Sequence, residues 1–332
     1  MAQLKKDISD PSHAGEVRRG VVASAQAIGM DETDCGKVAI AVTEMATNIV
    51  KHAKSGRMLW ETIEHHGKLG VRIISLDRGP GISDISSALH DGYSTSGTSG
   101  NGLGAVRRLA TKFDLYSLPD RGTCVFTEFW PHAKSPDANS FLLGVVSQAV
   151  RGETECGDGW GMKPCADNSF FMVVDGLGHG TFAAEAAREA ERVLNDSKAS
   201  SAAELLRDFH DALKKTRGAA GAIAAISKEK GVLVFAGVGN ISCTVLNEQT
   251  RRGMASHNGT LGHQLHKIQE FTVPWNPDSI LIMHSDGLGT KWDFSHYPGL
   301  TSKHPSVIAS ILYRDFERER DDVTVLAAKN FE

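Results

Sequence analysis

Two groups of residues in this 332-residue chain have types and spacings suited to phosphate chemistry. The first is Asp77-x-Gly79-x-Gly81, followed by a glycine-rich run through Thr95, Gly97, Gly100, Gly102, Leu103 and Gly104. The apolar run 69–76 reads as a strand, so Asp77 falls where a buried strand opens into a turn and its carboxylate can hold an exocyclic amine. Gly79 and Gly81 allow a ligand to approach closely. The later glycines leave backbone N–H groups unobstructed ahead of a helix predicted over 105–112, whose N-terminus favours phosphate. Upstream, Glu44 and Asn48 stand four apart on a helix predicted over 34–53, so they project from one side of it, with Lys51 and His52 a turn further on. An amide oxygen can coordinate Mg while a carboxylate activates a nearby hydroxyl, which makes this pair a candidate Mg-nucleotide site.

The second group is acidic. Asp158 lies in Cys156-Gly157-Asp158-Gly159, Asp175 and Asp286 follow apolar runs, and Asp321 or Asp322 begins another. Carboxylates gathered from several strand ends repel one another unless cations intervene. A pair of hard divalent ions, Mg or Mn, is the economical partner, because such ions prefer oxygen ligands and two-metal sites activate water for attack on phosphate.

The elements that would position these residues can be read from periodicity. Val17, Val21, Val22, Ala25 and Ile28 make a helix over 13–28 that stops at Gly29. Residues 31–34 can cap the next helix, whose apolar face is Val38, Ala41, Val42, Met45, Ala46 and Ile49. Runs 57–64 and 69–76 pair as strands around His65-His66-Gly67, a turn without further metal ligands nearby, and 113–118 with 123–129 form a hairpin. Residues 131–139 shift to linker composition. Beyond them come strands over 141–150 and 168–174, Ala-rich helices over 183–194 and 202–213, and strands over 219–226, 231–236, 241–246, 268–273 and 279–284. A helix over 305–316 and a strand over 323–328 complete the pattern.

Lys and Arg balance Asp and Glu over residues 1–133, so the formal charge of −4 falls on the remainder, and neither half carries the basic excess that nucleic-acid binding needs. The first residues lack the apolar core of a signal peptide and no apolar run approaches the ~18 residues of a membrane span, which predicts a cytoplasmic protein without membrane association. The five cysteines are odd in number and include no C-x-x-C, as expected of reduced thiols.

Over about residues 10–131 the motifs resemble a known family. Glu44-x-x-x-Asn48-x-x-Lys51-His52-Ala53, Asp77-x-Gly79-x-Gly81 and the lid through Gly102-Leu103-Gly104 are similar to the N, G1 and G2 boxes of the GHKL (Bergerat-type) ATP-binding fold. The match is best to its RsbT-type anti-sigma-factor serine kinases. That resemblance implies ATP and Mg as cofactors, Glu44 as base, Asn48 as Mg ligand, Asp77 on adenine, and Lys51, Gly79, Gly81, Thr95, Gly97, Gly100, Gly102, Leu103 and Gly104 around the nucleotide. Residues 141–329 resemble PP2C-like phosphatases of the SpoIIE and RsbX type, through Val173-Val174-Asp175-Gly176-Leu177-Gly178-His179-Gly180, Ser285-Asp286-Gly287 and Arg320-Asp321-Asp322-Val323. This second resemblance implies Mn or Mg held by Asp158, Asp175, the Gly176 carbonyl, Asp286 and Asp321, with Asp322 behind them. The family's further acidic residue has two candidates, Glu153 and Glu155.

The expectation is therefore an α/β (α+β) protein: a GHKL-type α/β sandwich over 1–131, a linker over 132–139 and a PP2C-like α-β-β-α sandwich over 140–332. Its implied function is opposed phosphorylation and dephosphorylation of serine or threonine in a bacterial partner-switching or stressosome-type pathway, with STAS-domain proteins as substrates. The alternative is a non-catalytic ATP-binding module that sequesters a partner or regulates the fused phosphatase. Glu44 argues against it, since binding alone needs no base.

Overall fold

The computed structural model describes residues 2–65, 67–89, 102–133, 141–165, 167–247 and 250–331. The chain packs as two compact units, residues 1–138 with 293–314, and residues 139–292 with 315–332.

In the first unit, β1 (Leu4–Ile8) is followed by α1 (Pro11–Ala27) and α2 (Glu32–Asn48), then by β2 (Gly56–His65) and β3 (Lys68–Asp77). The short α3 (Ile85–Ala88), α4 (Gly102–Leu109), β4 (Lys112–Ser117) and β5 (Thr123–Phe129) come next. The strands form one antiparallel sheet in the order β1-β2-β3-β5-β4. Asp10 and Asp31 cap the first two helices, each accepting a main-chain N–H from the first turn. One face of the sheet meets α1, α2 and α4, with Met58, Trp60, Val71, Ile73, Val125 and Phe129 packed against Val17, Val21, Val38, Val42, Met45 and Val106.

The opposite sheet face carries three cross-strand rows: Arg57, Leu76, Cys124 and Tyr116; Leu59, Ile74, Phe126 and Asp114; and Glu61, Arg72, Glu128 and Lys112. Leu59, Ile74, Leu76 and Phe126 are buried there, because residues 293–314 lie on this face. His304 stacks on Phe126 at 4.2 Å and its N–H donates to Asp114 Oδ2 at 2.6 Å, while Tyr116 Oη donates to the Pro298 carbonyl and Arg57 Nη1 to Tyr313 Oη. At the end of β3, Arg314 Nη1 donates to the Asp77 carbonyl at 3.0 Å, and Arg78 donates to the Arg314 carbonyl. Its contacts group this stretch with the first unit, although in sequence it lies within the part expected as the second domain.

Two boundaries also differ from expectation. The lid helix begins at Gly102 and ends at Leu109, and Lys112 already pairs with Glu128 in the sheet, so sheet register and not helix propensity fixes where α4 stops. The residues expected as linker fall mostly outside the described residues.

The second unit contains β6 (Phe141–Gln148), β7 (Asp158–Pro164), β8 (Ser169–Gly176), α5 (Thr181–Asp196), α6 (Ala202–Leu213), β9 (Ala219–Ser227), β10 (Val232–Val238), β11 (Ser242–Leu246), β12 (Arg251–Ala255), β13 (Phe271–Pro274), β14 (Ile280–His284) and β15 (Val323–Asn330). The helix before β15, α7 (Pro305–Phe316), belongs over most of its length to the first unit. The strands make two antiparallel sheets, β13-β10-β9-β8-β7 and β12-β11-β14-β15-β6. Phe171, Val173, Phe235, Val145, Leu281 and Leu326 share the apolar cluster that draws on both sheets. Phe170, Met172, Val174 and Ile223 point the other way, onto the alanine face of α5 and onto Leu206 and Phe209 of α6. No helix among the described residues is long and apolar enough to cross a membrane.

Candidate nucleotide and metal sites

The first site is built on the C-terminal end of α2. Val38, Ala41, Val42, Met45 and Ala46 are buried and fix the helix against the sheet, which leaves Glu44 and Asn48 half-buried on the side towards α4. A Cβ on Gly102 would lie 3.2 Å from Glu44 Oε2 and 3.8 Å from the Asn48 amide, so the first turn of α4 runs against both side chains. Beyond Asn48 the helix widens into a π turn over Ile49–Ala53, an irregularity common at functional positions, and Lys51 lies exposed on it. Among the described residues the Glu44 carboxylate has no hydrogen-bond partner.

Asp77 ends β3. Its Oδ1 accepts the N–H of Gly79 at 2.8 Å and that of Thr123 at 3.2 Å, which leaves Oδ2 as the acceptor open to a ligand. Burial pushes this carboxyl above its ordinary value, and the two main-chain donors partly offset that. Gly79 sits so close to α2's end that a Cβ would come within 2.6 Å of the Ala53 Cβ. Gly81 has φ +73° and a Cβ there would strike the Leu118 carbonyl, so only glycine fits this turn. Leu103 and Gly104 lie in the first turn of α4, whereas Thr95, Gly97 and Gly100 lie outside the described residues.

The second site gathers the acidic residues at one edge of the second unit. Asp158 opens β7 and is the direct cross-strand partner of Asp175, near the end of β8; in antiparallel neighbours the start of one strand lies beside the end of the next. Asp158 therefore joins the group from a strand start, although the sequence reading placed it at a strand end. Asp286 follows β14, and Asp321 and Asp322 precede β15, its antiparallel neighbour.

Burial, reinforced by the charge of Asp175, pushes the Asp158 carboxyl well above its ordinary range. Burial, then Asp286 and Asp321, push Asp175 up to about 7. Asp321 is raised by burial and by Asp286. Ser285 Oγ donates to Asp158 Oδ2 at 2.6 Å and Asn240 Nδ2 to Asp286 Oδ2 at 2.7 Å. Among the described residues Oδ1 of Asp158 and Oδ1 of Asp286 are buried without a hydrogen-bond partner. Unpaired buried carboxylate oxygens in a mutually repelling group cost free energy that a divalent cation would offset, so the donor set fits Mg or Mn.

Asp322 is different. Its Oδ1 accepts the Val150 N–H and its Oδ2 the Gly157 N–H, both at 2.7 Å, so both oxygens are committed to the loop that precedes Asp158. Gly176 donates its N–H to the Gly157 carbonyl and packs against Ala183, which holds the turn after Asp175 close to that loop. Glu153 Oε1 meets His179 Nδ1 at 2.6 Å, and His179 lies near Asp321 and Asp322. Glu155 instead pairs with Arg188 on the exposed side of α5. Of the two acidic candidates, Glu153 is the one beside the group. Sequence spacing holds no signal for that choice, nor for the supporting roles of Asn240 and Ser285.

Comparison with known proteins divides the chain into two consecutive parts, with residues 293–314 inside the second. Residues 8–127 match the family model of the histidine kinase-like ATPase domain, and residues 166–331 match that of stage II sporulation protein E (SpoIIE). The serine/threonine-protein kinase RsbT of Bacillus subtilis (strain 168) is 39% identical over 106 residues, covering 32% of this chain and 80% of that protein. The phosphoserine phosphatase RsbX of the same strain is 26% identical over 163 residues, covering 48% of this chain and 81% of that protein. A crystal structure of RsbX in complex with magnesium superposes with a TM-score of 0.53 at 22% identity, covering 60% of this chain and 99% of that one, which is a likeness of fold.

Proposed function

Because the chain belongs to the histidine kinase-like ATPase family through its RsbT-like first part and to the SpoIIE family through its second, we propose that it is a bifunctional regulator of a bacterial partner-switching or stressosome-type pathway. The first unit phosphorylates serine or threonine of a STAS-domain protein with ATP, and the second hydrolyses phosphoserine or phosphothreonine. One observation carries the reading: Glu44, Asp158 and Asp286 each keep a carboxylate oxygen without a protein partner. Among the described residues Glu44 has none, and the Oδ1 atoms of Asp158 and Asp286 are buried unpaired.

In the kinase reaction Glu44 accepts the proton of the substrate hydroxyl as its oxygen attacks the γ-phosphorus of ATP, and ADP leaves. Asn48 would hold Mg, Asp77 would accept from the adenine amine, and the N-terminal turn of α4, beside Glu44 and Asn48, would face the phosphates. In the phosphatase, Asp158, Asp175, the Gly176 carbonyl, Asp286 and Asp321 would hold Mg or Mn, which when bound supply charge neutralisation of the phosphate and an activated water. Asp322, through its two main-chain hydrogen bonds, keeps the Gly157 loop in place for Asp158.

The test is incubation of the purified chain with Mg-ATP and candidate STAS-domain proteins, followed by mass spectrometry of phosphosites with and without Mn. A serine or threonine phosphate that appears with ATP, and disappears once ATP is removed and Mn added, is the expected result. Tight ATP-dependent association without any phosphosite would favour the sequestering module instead.

A further inference from the structure

Large apolar side chains are seldom exposed in this protein: Leu4, Ile40, Leu177, Phe182 and Phe331 are the examples among the described residues, and Leu177 (43% exposed) lies in the loop that leads to the first turn of α5, where Phe182 (59%) stands. That loop runs directly out of the acidic site, from Asp175 to the start of α5. It is well fixed. The Leu177 N–H donates to the Gly218 carbonyl at 3.0 Å, His179 is held by Glu153, and the Gly178 carbonyl lies beside Gly157, next to Asp158. Gly178 and Gly180 have φ of +87° and +72°, which turns the chain so that Leu177 and Phe182 face solvent while Asp175 stays inside.

The neighbouring loop supplies a cation. Arg217 stacks its guanidinium over the Phe182 ring at 4.7 Å, a Cβ on Gly178 would touch its Nη1, and its carbonyl is bonded by His263 Nε2 at 2.9 Å. Among the described residues its guanidinium has no carboxylate partner. Exposed apolar surface and an unpaired, pre-oriented guanidinium beside an acidic metal-type centre have no use in folding, but they have one in recognition. We infer that Leu177, Phe182 and Arg217 form the rim on which the second unit docks the phosphorylated segment of its protein substrate. The segment carries an apolar residue against Leu177 and Phe182, and a carboxylate against Arg217, next to the phosphorylated serine or threonine. Arg217 supplies the charge complementarity that selects an acidic segment, and its position over the ring keeps its fork ready for a bidentate contact.

This inference rests on the phosphatase reading of the second unit, and the experiment keeps the two apart. Full-length protein with Mn is assayed on p-nitrophenyl phosphate and on three phosphoserine peptides, flanked by Leu and Glu, by Leu and Lys, or only by Gly and Ser. The expected wild-type result is a kcat/KM for the Leu/Glu peptide about five- to tenfold above the Gly/Ser peptide, the scale of a few rim contacts. Phe182→Ala should remove most of that preference, and Arg217→Glu should transfer it to the Leu/Lys peptide. Both should leave p-nitrophenyl phosphate turnover within about twofold of wild type, since exposed side chains contribute little to folding. Hydrolysis of p-nitrophenyl phosphate with no peptide preference, or a preference that survives both substitutions, overturns the docking rim alone. Absence of Mn-dependent hydrolysis of every substrate overturns the phosphatase reading and the rim with it.

Discussion

The two units treat buried acid in opposite ways. In the first, each buried carboxylate described is matched by a donor of the protein. Asp34 meets Lys37 and the His132 N–H; Arg72 serves Glu128 with two hydrogen bonds, at 2.7 and 3.1 Å, and Glu61 with one at 3.2 Å; and half-buried Asp77 takes two main-chain N–H groups. In the second, Asp158, Asp175, Asp286 and Asp321 face one another with little more than Ser285 and Asn240 to help, and two oxygens remain unpaired. Carboxylates already balanced by protein donors cost little while they wait, whereas a group whose charges repel stays under stress until cations complete it.

The largest effect separates the units outright. Asp175→Asn or Asp286→Asn should lower phosphatase turnover roughly 100-fold or more while kinase activity persists. Each variant should lose most of the Mn-induced rise in melting temperature, yet melt in EDTA at least as high as wild type, because without metal the substitution only relieves repulsion. A Mn-induced shift unchanged in both variants would mean these are ordinary turn residues, and the contrast between the units would disappear.

Glu44→Gln should reduce phosphotransfer by about 10²- to 10⁴-fold with ATP affinity within about threefold of wild type, as expected of a base that makes no ground-state contact. Asn48→Asp should weaken Mg-ATP binding itself. Calorimetric titration beside a radiolabel assay tells them apart; wild-type phosphotransfer by Glu44→Gln would remove the base role.

The covered sheet face offers a third test. A fragment ending near residue 133 exposes Leu59, Ile74, Leu76 and Phe126, each worth about 1.5–3 kcal/mol when buried. Appending residues 293–314 through a flexible linker should raise its melting temperature by at least about 5–10 °C. Equal melting of both fragments would show that the first unit needs no such cover.

The smallest effect lies in the pH dependence, and its two halves have opposite sign. Asp175, raised from 3.8 to about 7 in the folded protein, contributes fully below about pH 4, and that contribution is lost as pH climbs through 7 when metal is absent. Burial would raise Glu128, but Arg72 and Lys112 hold it at about 2, so its contribution is complete above pH 4.5 and is lost as pH falls towards 2. Melts in EDTA from about pH 3 to about pH 8 should therefore flatten on the alkaline side in Asp175→Asn and on the acid side in Glu128→Gln, by a few degrees each.

Much of this was legible in the sequence because periodicity reports which residues a local element buries. The α2 face from Val38 to Ile49, the Asp31 cap, the β2–β3 pair and the Ala-rich helices were all visible for that reason. Periodicity does not report what an element packs against. In α7 Ser306, Ser310 and Arg314 are buried along with Val307, Ile308 and Ile311, so its polar side is covered as well as its apolar one, and the partition of 293–314 was invisible. The edge strand Leu4–Ile8 escaped because only Ile8 is buried in it. The choice between Glu153 and Glu155 depends on His179, 26 residues from Glu153 in sequence, and only tertiary structure can make it.

Residues 293–314 also impose an order on the protein's birth. The ribosome releases the chain from its N-terminus, and domains begin to fold as they emerge. Here the last piece of the first unit is translated after all of the second unit except residues 315–332. Leu59, Ile74 and Phe126 must wait uncovered until then, and a chain cut short earlier never closes that face. The first unit, to which we assign the addition of phosphate, is thus completed only in molecules that already carry most of the second, to which we assign its removal.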